Sequence, residues 1–510
     1  MVERYNQNMD YNKSMYRYML DYAPKHSECA VARGKFSIAP GKLVKEIERV
    51  AGGLYKLGVR KGDVVMSALP NIEQAVSLLY ATTLLGAVFA PVHPLISEKE
   101  FEKEVSLQKP KILAISAVNA MRFSKHKGDA RVIYCPYCFH GFLGLPYSKE
   151  YEEYVGDGDI PALHMHSGGT SGVPKTVVIS HKGANALVDN MLSSIPYHFD
   201  QKDSMLVTLP MFHGFGLIVG VHAALSADVK AVLIPKFSGK IALKEIIRHR
   251  ITTMIAIPRM LSKFLATEGF EGDNVSSLEH VFVGGDTLDK KLQEEFNDVM
   301  RRAGAGAVAQ QGYGLTEMGS VCVLSSKTDQ IGTIGRPFNN VEAVIIDDKG
   351  NVLPDGERGE LVLGGNQMMM GYLEDDENAF LDINGKKYLR TGDIFAKNGE
   401  NLSFYGRKKR LIKIFGMNVF PSEIERVAKE LPFVRNCGAF ERVVGGKTQI
   451  ELVIEGSLTE KQKDEVQKYI GKNLSHWHIP RIIKNIEKMP YTSIGKIDYV
   501  ALFNGSCEEN

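Results

Sequence analysis

Ser167-Gly168-Gly169-Thr170-Ser171-Gly172-Val173-Pro174-Lys175 sets three glycines, three hydroxyls and one cation in a single short run. That mixture suits a phosphate. Glycine lets the backbone turn sharply and bring its N–H groups against an anion. Ser and Thr add short hydroxyl donors, and Lys175 adds a positive charge. The spacing is not that of a Walker A loop, which needs Gly-Lys-Ser/Thr after its last spacer. By composition alone the run is also compatible with a flexible surface loop. The apolar Val177-Val178-Ile179 behind it predicts that the loop feeds a strand.

Other reactive groups stand far along the chain. Gly312-Tyr313-Gly314-Leu315-Thr316-Glu317 joins an aromatic face, a hydroxyl and a carboxylate. Tyr313 can stack on a flat base, Thr316 can donate to a phosphate, and Glu317 offers Mg2+ the hard oxygen it prefers. Read alone, the run is equally a turn with a half-buried tyrosine. Thr391-Gly392-Asp393 follows the strand-like Tyr388-Leu389-Arg390. An Asp at a strand end can accept two hydrogen bonds from a ribose diol, although Asp is also an ordinary turn residue. Pro490-Tyr491-Thr492-Ser493-Ile494-Gly495-Lys496 ends on a lysine, which elsewhere is usually a solvated surface charge.

Apolar strand-like runs alternate with helical ones from about residue 36 to residue 337. Val64-Val65-Met66 precedes a helix from Ile72; residues 204–209 precede a helix over 218–225; residues 229–234 precede a helix over 241–249. This alternation predicts an α/β fold of βαβ layers with parallel sheets. Residues 341–363 read as a β-rich hairpin portion with turns at Asp348-Lys349-Gly350 and Pro354-Asp355-Gly356. The lysine-rich last hundred residues, with a strand over 449–454 and a helix over 460–473, read as a small α+β domain. The charged Gly406-Arg407-Lys408-Lys409-Arg410 is the expected joint, giving domains 1–406 and 407–510.

The chain has 510 residues, 44% hydrophobic and 24% charged, the composition of a soluble globular protein. A net charge of +2 gives no reason to expect a nucleic-acid partner. The polar first ten residues show no secretory signal, and a cytoplasmic location is expected. The long uncharged run 75–96 contains Gly86, Pro91 and Pro94. It reads as a buried helix, a turn at Gly86 and a short strand, not as a membrane span. Six cysteines are too few for a disulfide scaffold. Cys135-Pro136-Tyr137-Cys138, with His140 nearby, has no second Cys-x-x-Cys to complete a zinc site and reads as two reduced cysteines behind a strand.

Taken in order, these runs resemble the adenylate-forming superfamily, which includes acyl-CoA synthetases, aryl-CoA ligases and peptide-synthetase adenylation domains. The resemblance spans more than 300 residues and includes Pro210-Met211-Phe212-His213-Gly214-Phe215-Gly216 and the 406–425 segment. It implies that a carboxylate attacks the α-phosphate of ATP to give acyl-adenylate and pyrophosphate, and that a thiol, usually coenzyme A, then takes the acyl group. It implies that Ser167, Gly168, Gly169, Thr170, Ser171, Gly172 and Lys175 cradle the β- and γ-phosphates. Thr316 would touch the α-phosphate and Glu317 would hold Mg2+. Tyr313 would stack on adenine, flanked by Gly284, Gly285 and Asp286. Asp393 and Arg407 would bind the ribose. Lys496 would bridge the carboxylate and α-phosphate. Lys409 would be the hinge on which the small domain turns, and Gly416 would then approach the thiol tunnel. His213 would gate or line the acyl pocket, or serve as a core histidine.

The sequence departs from the family pattern at Ser171 (usually Thr), Thr176 (commonly Gly), Arg410 (often Asp) and Phe415 (often basic). The last two bear on hinge pairing and coenzyme contacts rather than on adenylation. Residues 212–219 hold no carboxylate for a substrate ammonium, so an amino-acid substrate is disfavoured. The 406–425 segment resembles that of bacterial fatty-acyl-CoA ligases, which implies a medium- or long-chain fatty acid. An acyl-AMP ligase that loads an acyl-carrier protein, or a nucleotide-binding protein without turnover, are the alternatives.

Overall fold

The computed structural model describes residues 10–22, 29–136, 141–167, 175–197, 199, 202–374, 376, 378–414, 417–444, 447–491 and 497–508. It is a mixed α/β fold with two large sheets. In the nine-stranded sheet, Ala309–Gly314, His280–Val283, Thr253–Ala256, Ser204–Val207, Lys230–Leu233 and Val31–Arg33 run parallel as neighbours. In the seven-stranded sheet, Pro161–His166, Val88–Pro91, Val64–Ala68, Ile112–Ser116 and Arg131–Cys135 do the same. Such strands are covered on both faces, which is why Ile112–Ser116 and Thr253–Ala256 are buried throughout.

Local chemistry starts and stops the helices between them. Pro258 opens Pro258–Leu265 and Pro40 opens Pro40–Lys56, where a missing N–H costs nothing. Ser97 and Glu100 close a capping box on Glu98–Gln108. The 75–96 run divides as expected, into the buried helix Glu73–Leu84, a positive-φ Gly86 and the strand Val88–Pro91. Among the described residues no helix is long and apolar enough to cross a membrane.

Three expectations change. The helix expected over 218–225 begins earlier, as the π-helix Phe215–Ala223. Its residues 216–223 are all buried, so packing rather than an exposed polar face sets its start. Thr391-Gly392-Asp393 does not end a strand but sits inside the 13-residue Lys386–Asn398, just before a register shift at Ile394/Phe395. Tyr313 lies within a strand, not a turn, and only Thr316–Met318 turns.

Val341–Ile346 and Arg358–Gly365 pair as the expected hairpin in a five-stranded sheet. Beyond it, Ile412, Val419, Ile424, Leu452, Val466 and Ile470 belong to a separate hydrophobic core. The helices Pro421–Lys429 and Glu460–Asn473 pack there on the three strands Cys437–Val444, Lys447–Glu455 and Ile482–Ile486.

Candidate active site

A cleft of about 1180 Å3 opens where the carboxyl ends of parallel strands from both large sheets meet, the place where open α/β sheets bind ligands. Leu209, Pro235, Ile257 and Gly284 follow strands of one sheet; Pro94, Val118 and Ser167 follow strands of the other.

Ser167 and Lys175 close the neck of the glycine loop. The Ser167 N–H donates to the Lys175 carbonyl at 2.9 Å, and the Lys175 N–H donates to Ser167 Oγ at 3.0 Å. Gly168, Gly169, Thr170, Ser171 and Gly172 lie outside the described residues. Lys175 Nζ forms an ion pair with Asp376 and lies 4.8 Å from the centroid of the Tyr372 ring. The Tyr372 hydroxyl donates to Glu317 Oε1 at 2.8 Å. Burial, and then the Glu317 charge, push the Tyr372 pKa far up, so it remains a donor. Asp376, Lys175, Tyr372 and Glu317 thus form one chain of contacts along the phosphate side. Thr316 Oγ1 donates to the His166 carbonyl at 3.2 Å, which ties the Thr-Glu pair to the foot of the loop.

Asp393 is 3% exposed yet lines the cleft. Tyr313 donates its hydroxyl to Oδ2 at 2.8 Å, and Arg407 Nε lies 3.1 Å from Oδ1. The register that pairs Asp393 with Arg407 across two antiparallel strands puts this ion pair in place. Thr391 Oγ1 accepts from the Asp393 N–H at 3.1 Å. Tyr313 is braced edge-on by Phe395, with ring centroids 4.9 Å apart.

His213 lines the cleft just before the π-helix, next to Phe212, which in turn meets His93 with ring centroids 4.6 Å apart. Gly284 and Gly285 line the cleft, Gly285 with φ +83°. Asp286 is exposed beside them; its Oδ1 accepts from the Thr287 N–H at 2.8 Å. Asp286 and Asp289 also act on Lys429, whose charge burial opposes and these carboxylates, with Cys437 and Glu425, sustain.

Lys409 is exposed and lines the cleft. Its neighbours are anchored on opposite sides. Lys408 Nζ lies 3.0 Å from Glu360, and Arg410 lies 2.6 Å from Glu425 and 3.6 Å from the Tyr499 ring centroid. Gly416 and Lys496 lie outside the described residues, as do Cys138 and His140. Cys135 is buried, and burial pushes its thiol up to about 12.

Sequence reasoning missed Tyr372, Asp376 and Arg259, which also line the cleft. It placed Phe215 and Val219 in a substrate-facing segment but missed Met191, Phe282, Val321 and Phe338, which complete the same apolar wall. These residues come from separate elements, and only Gly371-Tyr372 beside an acidic run carries a local signal.

Glu317, held at one oxygen, presents a carboxylate to the cleft, the donor that suits Mg2+ riding on substrate phosphates. Residues 26–373 match the AMP-binding enzyme family, and the chain belongs to that family. Among curated proteins it is similar to 4-coumarate-CoA ligase 1 of Narcissus pseudonarcissus, with 27% identity over 94% of this chain and 93% of that protein. Among solved structures it is similar to ATP-bound MatB from Rhodopseudomonas palustris, with TM-score 0.88, 20% identity, and coverage of 98% of this chain and 99% of that one. A benzoate CoA ligase from Burkholderia xenovorans gives TM-score 0.85 at 18% identity, covering 96% and 99%.

Proposed function

We propose that this protein is an AMP-forming acid–thiol ligase that uses ATP, Mg2+ and coenzyme A on an apolar, preferably aromatic, carboxylic acid. One observation carries the reading: Thr316, Glu317, Asp393, Arg407 and Lys175 line the same cleft as an apolar wall that includes Phe215, Phe282 and Phe338. The curated 4-coumarate-CoA ligase and the benzoate CoA ligase support an aromatic acid over the fatty acid first expected.

In the first half-reaction the acid's oxygen bonds to the α-phosphorus and the bond to the pyrophosphate oxygen breaks. Negative charge grows on the phosphoryl oxygens, so preorganised donors and cations lower the barrier. Asp393, fixed by Tyr313 and Arg407, would accept the ribose hydroxyls. Thr316 would donate to the α-phosphate once turned from the His166 carbonyl, and Lys175 would meet the outer phosphates. Mg2+ held by Glu317 would neutralise phosphate charge. Lys496 would sit between acid and phosphate. A division at 406/407 with Lys409 as hinge would then let the small domain turn for thiol attack.

The test is pyrophosphate release across acetate, octanoate, palmitate, benzoate, a cinnamate and several amino acids, each with and without coenzyme A. Coenzyme-dependent turnover on benzoate or the cinnamate is expected. Preference for octanoate or palmitate would restore the fatty-acid reading, and pyrophosphate release without thioester would point to a carrier protein.

A further inference from the structure

We infer that Arg259 and Tyr491 form a latch that holds the small C-terminal unit over the cleft during adenylation, each acting as a positioning residue. This rests on the function proposed above. The two residues belong to different units. Arg259 follows Pro258 at the start of the helix Pro258–Leu265, directly behind a fully buried strand, and lines the cleft. Leu261 and Phe264 bury the inner face of that helix and fix its direction.

Tyr491 is fixed on the other side. It forms an antiparallel bridge with Ile497, and the Asp498 N–H donates to the Pro490 carbonyl at 3.0 Å. Its ring packs on a small core with Met489 and Ile497. Tyr491 and Ile497 are therefore the braced ends of the segment that carries Lys496. The Arg259 guanidinium lies 4.0 Å from the centroid of the Tyr491 ring.

Other contacts between the units lie elsewhere: Arg358 stands 3.3 Å from Glu423, and Asp286 and Asp289 act on Lys429. Among the described residues, the Arg259–Tyr491 stack is the ring contact between the units that adjoins the lysine-bearing segment. A cation–π contact of this exposure shifts a two-state population by roughly 2- to 5-fold. A bias of that size favours one orientation and still lets it go.

The experiment compares Tyr491→Ala, Tyr491→Phe, Arg259→Ala and the double alanine variant. It reads acid-dependent ATP–pyrophosphate exchange, and thioester formation from supplied acyl-adenylate and coenzyme A. It also reads the distance distribution between spin labels at exposed positions 268 and 461, in a background freed of reactive cysteines. Each alanine variant should slow exchange roughly 2- to 5-fold, leave thioester formation intact and deplete the closed label distance. Tyr491→Phe keeps the ring face and should match the parent, and the double variant should be no worse than either single one. Loss in Tyr491→Phe, additive losses, equal loss in both half-reactions or an unmoved label distribution would overturn the latch. A parent protein that exchanges with no acid would defeat the proposed function, while the label distances would still decide the latch.

Discussion

Tyr313 and Asp393, eighty residues apart, meet as donor and acceptor: the phenol hydroxyl lies 2.8 Å from Oδ2 while Arg407 occupies the Oδ1 side at 3.1 Å. Protein partners thus hold the carboxylate from both sides. Hydrogen bonds to a charged group are worth about 1.5–3 kcal/mol each. Asp393→Ala should therefore raise KM for ATP by roughly ten- to a hundredfold, with Tyr313→Phe doing less. Initial rates at varied ATP test the order, and a Tyr313→Phe effect larger than that of Asp393→Ala would reverse the assignment.

Lys175 is held in a contact that its proposed role must break. Its ion pair with Asp376 has to open for the amine to reach a phosphate. A partly exposed pair is worth ~0.2–1 kcal/mol. Asp376→Asn should lower KM for ATP by up to about fivefold, an advantage that fades at high salt. Lys175→Ala should move KM the opposite way. A rise in KM for Asp376→Asn would mean that the carboxylate aids nucleotide binding.

Lys496 is assigned to the first half-reaction only. Lys496→Ala should cut acid-dependent pyrophosphate exchange by at least about a hundredfold, as loss of one preorganised charge contact does. Thioester formation from supplied acyl-adenylate should continue. Equal loss in both steps would refute the role.

The lining of the cleft was legible where it was local. The Thr-Glu pair, Asp393, Ser167 and Lys175 were found because short runs of unusual composition mark them. Tyr372 and Asp376 were not, because Asp376 meets Lys175 across 201 residues and Tyr372 meets Glu317 across 55, and no spacing within the sequence encodes such contacts. The alternating strands were readable from their apolar runs. The 13-residue Lys386–Asn398 strand was not, because Thr-Gly-Asp reads as a turn: Gly392 does take φ +68°, and the strand resumes only through pairing of Ile394–Ala396 with Arg358–Glu360 on one side and with residues 403–406 on the other. The helix over 218–225 was read, but its start at Phe215 and its π form were not: a segment apolar at nearly every position has no face to betray its period.

His181 and His222 are both fully buried, and burial holds each neutral down to about pH 3. An unfolded chain protonates histidine near pH 6.5. Their folded pKa values are thus depressed, so the stability at stake is complete above about pH 6.5 and falls as pH drops towards 3. His222 bonds Tyr80 at 3.0 Å and Asn185 at 2.9 Å. His222→Gln should lower Tm at pH 7 but flatten its decline between pH 6.5 and 4. A decline as steep as the parent's would remove His222 from the account.

Gly214 and Gly216 flank Phe215 at the head of the π-helix. A Cβ on Gly214 would lie 1.9 Å from the Gly319 carbonyl oxygen, and one on Gly216 would lie 2.2 Å from that of Pro210. Backbone rests on backbone at both points, so no side chain can be accommodated by a rotamer change. Evolution of a new acid preference has these two positions closed to it. Divergence must run instead through His213, Phe215 and Val219, which line the cleft, while the glycines stay as the fixed frame of an otherwise adaptable wall.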